Sequence, residues 1–266
     1  MSIIETDGLT RRFGDFTAVN NVTLSIEPGE LYGLLGPNGA GKTTVMKMLT
    51  TLLPPTSGTA TVAGFSVTRK AADVRRSIGY VPQMLSSDAS LTGYENLWVF
   101  ARLYDIPRNE IGERVHAALS FMGLEDAAGK LVRTYSGGMI RRLEIAQAIL
   151  HHPQVLFLDE PTIELDPLAR IAVWQHIEEL RDKYGTTILM TTHFMEEADK
   201  LCGRVAIMHH SKIVIIGSPV ELKAHIGGKD VTLEDVFIHY TEGERLDEGE
   251  SYNETSRTRR TARRLG

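Results

Sequence analysis

The sequence has one cysteine, Cys202, so no disulfide can form within the chain, and the composition fits a reducing compartment. No pairing or metal-binding spacing surrounds it in Asp199-Lys200-Leu201-Cys202-Gly203, so it reads as a small buried apolar residue. There is no excess of positive charge. The formal net charge of -5 argues against a nucleic-acid partner, which calls for a basic surface. No apolar run approaches the roughly 20 residues needed to span a bilayer. Near the start, Glu5, Asp7, Arg11 and Arg12 fall too early and too often for a signal peptide. A role at a membrane therefore requires docking onto something else that crosses it. Internal repeats are absent too. What remains is 266 residues with 42% hydrophobic and 24% charged residues, ordinary for a soluble globular protein. That length suits one large domain or two unequal lobes.

Residues 1–35 read as strands. Val22, Leu24 and Ile26 alternate with polar neighbours, and Leu31-Tyr32-Gly33-Leu34-Leu35 is a short buried strand after a Pro28-Gly29 turn. A helix is expected over residues 42–53, stopped by Pro54-Pro55, and further strands over residues 59–67 and 77–81. Residues 90–152 turn helical, with Leu97, Phe100, Ala101 and Tyr104, and later Leu143, Ala146, Ile149 and Leu150, at helical spacing. Strands resume at residues 155–158 and 187–190. Between them Asp166-Pro167 opens a helix that Gly185 closes, with a face of Leu168, Ile171, Trp174, Ile177 and Leu180 or Arg181. Residues 204–216 read as a hairpin around His209-His210-Ser211. The alternation implies an α/β fold, a mainly parallel sheet covered on both faces, with a helical insertion. The boundaries expected are a domain over 1–241, its core lobe about 1–88 and 153–241, the insertion about 89–152. Residues 242–266, Glu-rich then Arg-rich, read as a flexible polar tail.

The segment Gly36-Pro37-Asn38-Gly39-Ala40-Gly41-Lys42-Thr43, with Thr44 after it, carries the most chemistry. A glycine, four residues and then Gly-Lys-Thr, between an apolar strand and a helix, is the phosphate-loop pattern. Its glycines let the backbone aim N–H groups at phosphate oxygens, and the helix begins with its positive end at the same point. Lys42 is expected to reach the β- and γ-phosphates of a nucleotide, and the Thr43 hydroxyl to hold Mg²⁺. Val155-Leu156-Phe157-Leu158-Asp159-Glu160 is a buried strand ending in two acids that point in different directions. Asp159 is expected to organise the metal and Glu160 to act as general base on the attacking water, the two parts that ATP hydrolysis requires.

Several further segments then take on meaning together. Tyr135-Ser136-Gly137-Gly138-Met139 with residues 140–146 resembles the signature motif of ABC ATPases. Asp159-Glu160-Pro161-Thr162 follows it. Tyr80-Val81-Pro82-Gln83, Leu165-Asp166 and Thr191-Thr192-His193 resemble that family's glutamine, aspartate and switch-histidine loops, in the family's order. The resemblance covers about residues 3–240. It implies a P-loop NTPase fold of the ABC nucleotide-binding type, using ATP and Mg²⁺. It implies that Phe13 stacks on adenine, that Gln83 approaches Mg²⁺ and that His193 contacts the γ-phosphate. Ser136, Gly137 and Gly138 are then a second phosphate binder that completes the site of another chain, head to tail. A homodimer is expected, docked on a polytopic membrane permease at the cytoplasmic face of the membrane, with no nucleic-acid partner.

The departures sharpen this. Tyr135 and Met139 replace a commoner leucine and glutamine, and with Thr232-Leu233-Glu234-Asp235-Val236-Phe237 they resemble the drug- and antibiotic-resistance exporters. Phe13 replaces a more frequent tyrosine. Glu164 replaces a usual glycine and puts a charge near the expected dimer seam. A soluble ABC ATPase acting on ribosomes or DNA is the alternative, but that kind usually has tandem cassettes or a long coiled coil, and this chain has neither. His151-His152 and His209-His210 are adjacent pairs expected to face apart, so no metal other than Mg²⁺ is expected. Arg257, Arg259, Arg260, Arg263 and Arg264 are balanced by Glu248, Glu250 and Glu254, and a solvated tail is preferred to a lipid-binding one.

Overall fold

The structure is a computed structural model that describes residues 1–227 and 230–242. Of the expected tail, Glu242 instead ends the last described helix, and residues 243–266, with the Arg-rich segment, lie outside the described residues. Strand β1 (Ile4–Phe13) pairs antiparallel with β2 (Phe16–Ile26). Strand β3 (Leu31–Leu35) leads into helix α1 (Lys42–Leu49). The remaining early elements are β4 (Ser57–Val62), β5 (Phe65–Ser66), α2 (Ala71–Ser77) and β6 (Ile78–Val81).

From Val81 to Val155 the described chain forms no strand. It forms α3 (Gly93–Leu103), α4 (Arg108–Phe121), two short 3-10 turns and α5 (Gly137–Ile149). Then follow β7 (Val155–Asp159), α6 (Pro167–Tyr184), β8 (Thr187–Thr192), α7 (Met195–Leu201), β9 (Arg204–His209), β10 (Lys212–Gly217), α8 (Pro219–Ile226) and α9 (Leu233–Glu242).

Two sheets result. A four-stranded antiparallel sheet runs β2-β1-β4-β5, and a six-stranded sheet runs β10-β9-β3-β8-β7-β6. In the larger sheet β9, β3, β8, β7 and β6 are parallel, and only β10 pairs antiparallel. Its central strands are apolar throughout because both faces are covered, and the strand period of two divides each between two cores. Leu31, Leu156, Leu158, Ile188, Met190, Val205 and Ile207 pack with the helices on one side. Tyr32, Leu34, Val155, Phe157, Leu189, Ala206 and Met208 pack on the other with α1 and the antiparallel sheet. Each such side chain, fully removed from water, contributes about 1.5–3 kcal/mol before conformational entropy is counted. Cys202 lies buried in the first core, and burial pushes its thiol far above the ordinary range.

The ends of the elements follow their local chemistry. Thr92 and Glu95 form a capping box at α3, and Ser218 and Glu221 another at α8. Asp166 caps α6 through the N–H groups of Leu168 and Ala169, and Gly185 ends that helix at φ +62°.

Four expectations need correction. Helix α1 stops at Leu49, not near residue 53, because Thr51 takes a left-handed φ of +65°. Residues 59–67 are two strands around a turn, with Ala63 at φ +50° and Gly64 at +78°. The buried face of α6 is Val173, Trp174, Ile177 and Leu180, whereas Leu168 and Ile171 stand exposed. Its first turn lies over the start of α5 instead of the sheet: a methyl built on Gly138 would come 2.7 Å from Ala169 Cβ. His209 and His210 do not face apart. Their rings lie 3.9 Å apart, since the chain turns left-handed at His210 and Ser211.

Candidate nucleotide site

Four neighbouring parallel strands, in the order β3-β8-β7-β6, end on one edge, and the sequence-derived candidates follow those ends. Residues 36–41 follow β3, His193 follows β8, Asp159 ends β7 with Glu160 next, and Gln83 follows β6. Ligands of open α/β sheets bind in this position, outside the carboxyl ends of the strands. A cleft of about 430 Å³ opens here, lined by Phe16, Ala18, residues 37–44, Gln83 and Glu160.

The loop admits only glycine at two points. Gly41 sits at φ +106°, and a methyl there would lie 2.4 Å from the Ala18 carbonyl oxygen. Gly36 sits at φ +153°, and a methyl would lie 2.2 Å from the Met208 carbonyl oxygen. No side chain caps α1, so the N–H groups of its first turn are left for an anion. Lys42 is buried and donates to the carbonyl oxygens of Gly36 (2.7 Å) and Pro37 (3.2 Å). Its Nζ also lies 3.1 Å from Glu160 Oε1.

Glu160 holds the centre. His193 Nδ1 is 2.5 Å from its Oε2, so the carboxylate bridges the lysine and the imidazole. Its backbone is left-handed, at φ +52°, and is fixed by bonds from its N–H to the carbonyl oxygen and Oγ1 of Thr191. A non-glycine residue in that region stores about 1–3 kcal/mol, which the surrounding bonds must offset. Asp159 is fully buried. Its Oδ1 accepts from Thr191 Oγ1 at 2.6 Å and from Thr43 Oγ1 at 3.2 Å, while Oδ2 has no partner among the described residues. Burial is the main cause that raises its pKa, and the hydrogen bonds from Thr191 and Thr43 oppose it. A buried carboxylate with an orphaned oxygen beside a threonine hydroxyl is an oxygen donor set suited to a hard cation, so the residues present fit Mg²⁺.

The signature residues lie elsewhere. Ser136 is the N-cap of α5, where its Oγ accepts from the Met139 N–H at 3.3 Å, and Gly137 and Gly138 form the first turn. None of the three is among the described residues that line the cleft. Phe13 is not among them either. It pairs with Phe16 across the end of the β1–β2 hairpin and carries the Arg11 guanidinium 4.6 Å above its ring, while Phe16 faces the cleft. Sequence alone gave no means of choosing between two aromatic residues separated by Gly14-Asp15. Thr191 enters the sequence only as part of the switch-histidine resemblance; its hold on both Asp159 and Glu160 does not show there, because a threonine inside an apolar strand reads as a β-former.

Known proteins share the sequence pattern and the fold of this chain. The family model for the ABC transporter matches residues 19–163. The chain is 44% identical over 230 residues to the daunorubicin/doxorubicin resistance ATP-binding protein DrrA of Streptomyces peucetius, covering 86% of this chain and 69% of that protein. Among solved structures it is similar to the ATP-binding subunit of an ABC transporter, with a TM-score of 0.80, 27% identity, and coverage of 90% of this chain and 100% of that one. A dimeric, post-hydrolysis structure of the ATP-binding cassette MJ0796, bound to ADP and phosphate, gives a TM-score of 0.73 at 25% identity, covering 81% and 98%. The chain belongs to the ABC transporter family, as an ATP-binding subunit whose reaction is the hydrolysis of ATP with Mg²⁺.

Proposed function

We propose that this chain closes head to tail on a second copy of itself around two ATP molecules, and that the cycle drives export of a cargo through a separate polytopic permease. The observation that carries the reading is the separation of two phosphate-binding ends. Residues 36–43 and the α1 N-terminus form one, and Ser136-Gly137-Gly138 at the α5 N-terminus forms the other, outside the first cleft. A nucleotide held by both needs a second subunit.

Within one site Lys42 and the first-turn N–H groups of α1 hold the phosphates. Thr43, Asp159 and Gln83 would hold Mg²⁺, which would neutralise charge on the phosphate oxygens. Glu160 takes the proton of the attacking water, and His193 orients that carboxylate and contacts the γ-phosphate. Phe13, with Phe16 beside it, supports the adenine. ATP and water give ADP and phosphate, the γ-phosphate contacts are lost, and the pair opens.

The permease and the peripheral place at the cytoplasmic face are supported by two observations. No helix among the described residues is long and apolar enough to cross a membrane. Exposed large apolar side chains gather just after Gln83 and along α3: Met84, Leu85, Trp98, Val99 and Leu103. Such a concentration marks a partner surface. Export is the role named for a relative 41% identical over 221 residues, the Nod factor export ATP-binding protein I of Cupriavidus metallidurans.

The test uses the Glu160→Gln protein. With MgATP it is expected to sediment as a dimer, to keep ATP affinity, and to turn over about 10²–10⁴-fold more slowly, the usual yield of a positioned base. A monomer under saturating MgATP, or undiminished turnover, overturns the reading. Purification from detergent-solubilised membranes is expected to recover a polytopic partner with the full chain.

A further inference from the structure

The signature helix α5 does more than present its N-terminus. Arg141, Glu144 and Gln147 follow at intervals of three on one helix face, and all three are buried. Among the described residues, their side-chain hydrogen bonds outside the helix go to the Gln83 loop or to the residue that anchors its far end. Arg141 Nη1 donates to the Pro82 carbonyl oxygen at 2.7 Å and Nη2 to the Gln83 carbonyl oxygen at 2.8 Å. Arg141 Nη1 also meets Glu144 Oε2 at 3.1 Å. Glu144 Oε1 in turn accepts from the Ser86 N–H and from Ser86 Oγ. Gln147 accepts from Ser87 Oγ at 3.3 Å and donates to Asn96 Oδ1 at 3.4 Å. Asn96 closes the loop by accepting from the Asp88 N–H at 3.0 Å and donating to the Asp88 carbonyl oxygen at 3.0 Å.

A buried ion pair is weak evidence of stability, since desolvation offsets much of its Coulomb gain, and apolar replacement of both partners is often neutral. What this pair supplies is placement. The guanidinium fork reaches two successive carbonyls with a fixed geometry that an ammonium lacks.

We propose that Arg141 and Glu144 are positioning residues for ATP hydrolysis: they lock Gln83 to the signature helix, so that the glutamine serving one nucleotide and the Ser136 end serving the other move as one unit. This rests on the proposed approach of Gln83 to Mg²⁺. It extends that reading by making the two sites of a closed dimer answer to one helix in each chain.

The experiment is an Mg²⁺ titration of the full chain, read by steady-state ATPase activity and, separately, by the Mg²⁺ dependence of binding a non-hydrolysable fluorescent ATP analogue, for wild type, Arg141→Lys, Gln83→Ala and the double variant. Arg141→Lys keeps the charge opposite Glu144 and loses the fork. It is expected to raise the Mg²⁺ concentration for half-maximal activity and lower kcat, each about fivefold or more, with KM for ATP within about twofold. Gln83→Ala is expected to do the same, and Arg141→Lys in that background to add less than about twofold.

If Gln83→Ala raises the Mg²⁺ requirement and Arg141→Lys does not, or if their effects multiply, the proposal fails while the role of Gln83 stands. If Gln83→Ala has no effect, both fail. Should Arg141→Lys fold poorly, the paired replacement Arg141→Met with Glu144→Leu removes both buried charges together. It is expected to melt near the wild type and bind ATP with the same affinity, yet show the raised Mg²⁺ requirement. A wild-type Mg²⁺ profile in that variant overturns the proposal.

Discussion

Replacing Gly93 with alanine is expected to act through Tyr135, the residue before the signature serine. Gly93 opens α3, and a methyl there would lie 2.2 Å from Tyr135 Oη and 3.2 Å from Cζ. The hydroxyl cannot yield in place, because it donates to the Ala127 carbonyl oxygen at 2.7 Å inside the core. The ring must therefore shift. That forfeits a hydrogen bond worth about 1 kcal/mol and adds overpacking of about 1–3 kcal/mol. The better helix propensity of alanine returns at most about 1 kcal/mol. The net expectation for Gly93→Ala is a loss of about 1–4 kcal/mol of folding stability, centred at about 2.5 kcal/mol, by the same sum.

Tyr135→Phe alone should cost only about 0.5–1.5 kcal/mol, since the Ala127 carbonyl keeps its bond from the Lys130 N–H at 2.8 Å. In the Phe background the added methyl meets only the ring edge, so the glycine replacement should then cost less than about 1 kcal/mol. Urea unfolding of the four proteins gives the coupling directly, expected at about 1.5 kcal/mol or more in favour of the double variant. ATPase activity of Gly93→Ala should also fall beyond the unfolded fraction, as a displaced Tyr135 moves Ser136. A Gly93→Ala cost below about 0.5 kcal/mol, or strict additivity, would refute the argument.

Ser136→Arg is expected to leave ATP affinity of the isolated chain within about twofold while hydrolysis drops about a hundredfold or more, the scale of a lost phosphate donor. Equal loss of both, measured by nucleotide binding and phosphate release, contradicts a site shared between subunits. His151 predicts an acid dependence. Burial lowers its pKa to about 4, with the ring stacked 3.8 Å from Tyr104 and hydrogen bonded to the Ile78 carbonyl oxygen at 3.0 Å. The unfolded chain binds this proton first, so stability falls as pH drops from about 6.5 toward 4, by about 1–2 kcal/mol after discounting for partial exposure. His151→Leu should flatten that part of the slope in urea titrations near pH 7 and pH 5; an unchanged slope contradicts it.

The sequence carried the strands and the nucleotide loop for a physical reason. Runs such as residues 31–35 and 155–158 are apolar at every position because both sheet faces are covered, and that pattern is local. The phosphate loop is local too: its glycines, Lys42 and Thr43 are adjacent in the chain. Elements held by tertiary contact were harder to read. Helices α2 and α7 have seven residues each, too few for a helical period to stand out. The separate antiparallel sheet depends on β1 accepting β4 across a distance in sequence. Phe16 at the cleft, Thr191 beneath both acids, and the Arg141–Glu144 hold on Gln83 all join residues far apart in the chain. Spacing along one chain does not encode such meetings, and the left-handed Glu160 that they fix gives no compositional sign.

The burial of Cys202 has a practical consequence. Its thiolate is strongly disfavoured, and the sequence has no other thiol. The native chain therefore serves as its own unreactive background for maleimide or spin-label chemistry. A cysteine placed at exposed Leu168, near the start of α5, would report intersubunit distances through the ATP cycle without first mutating the core.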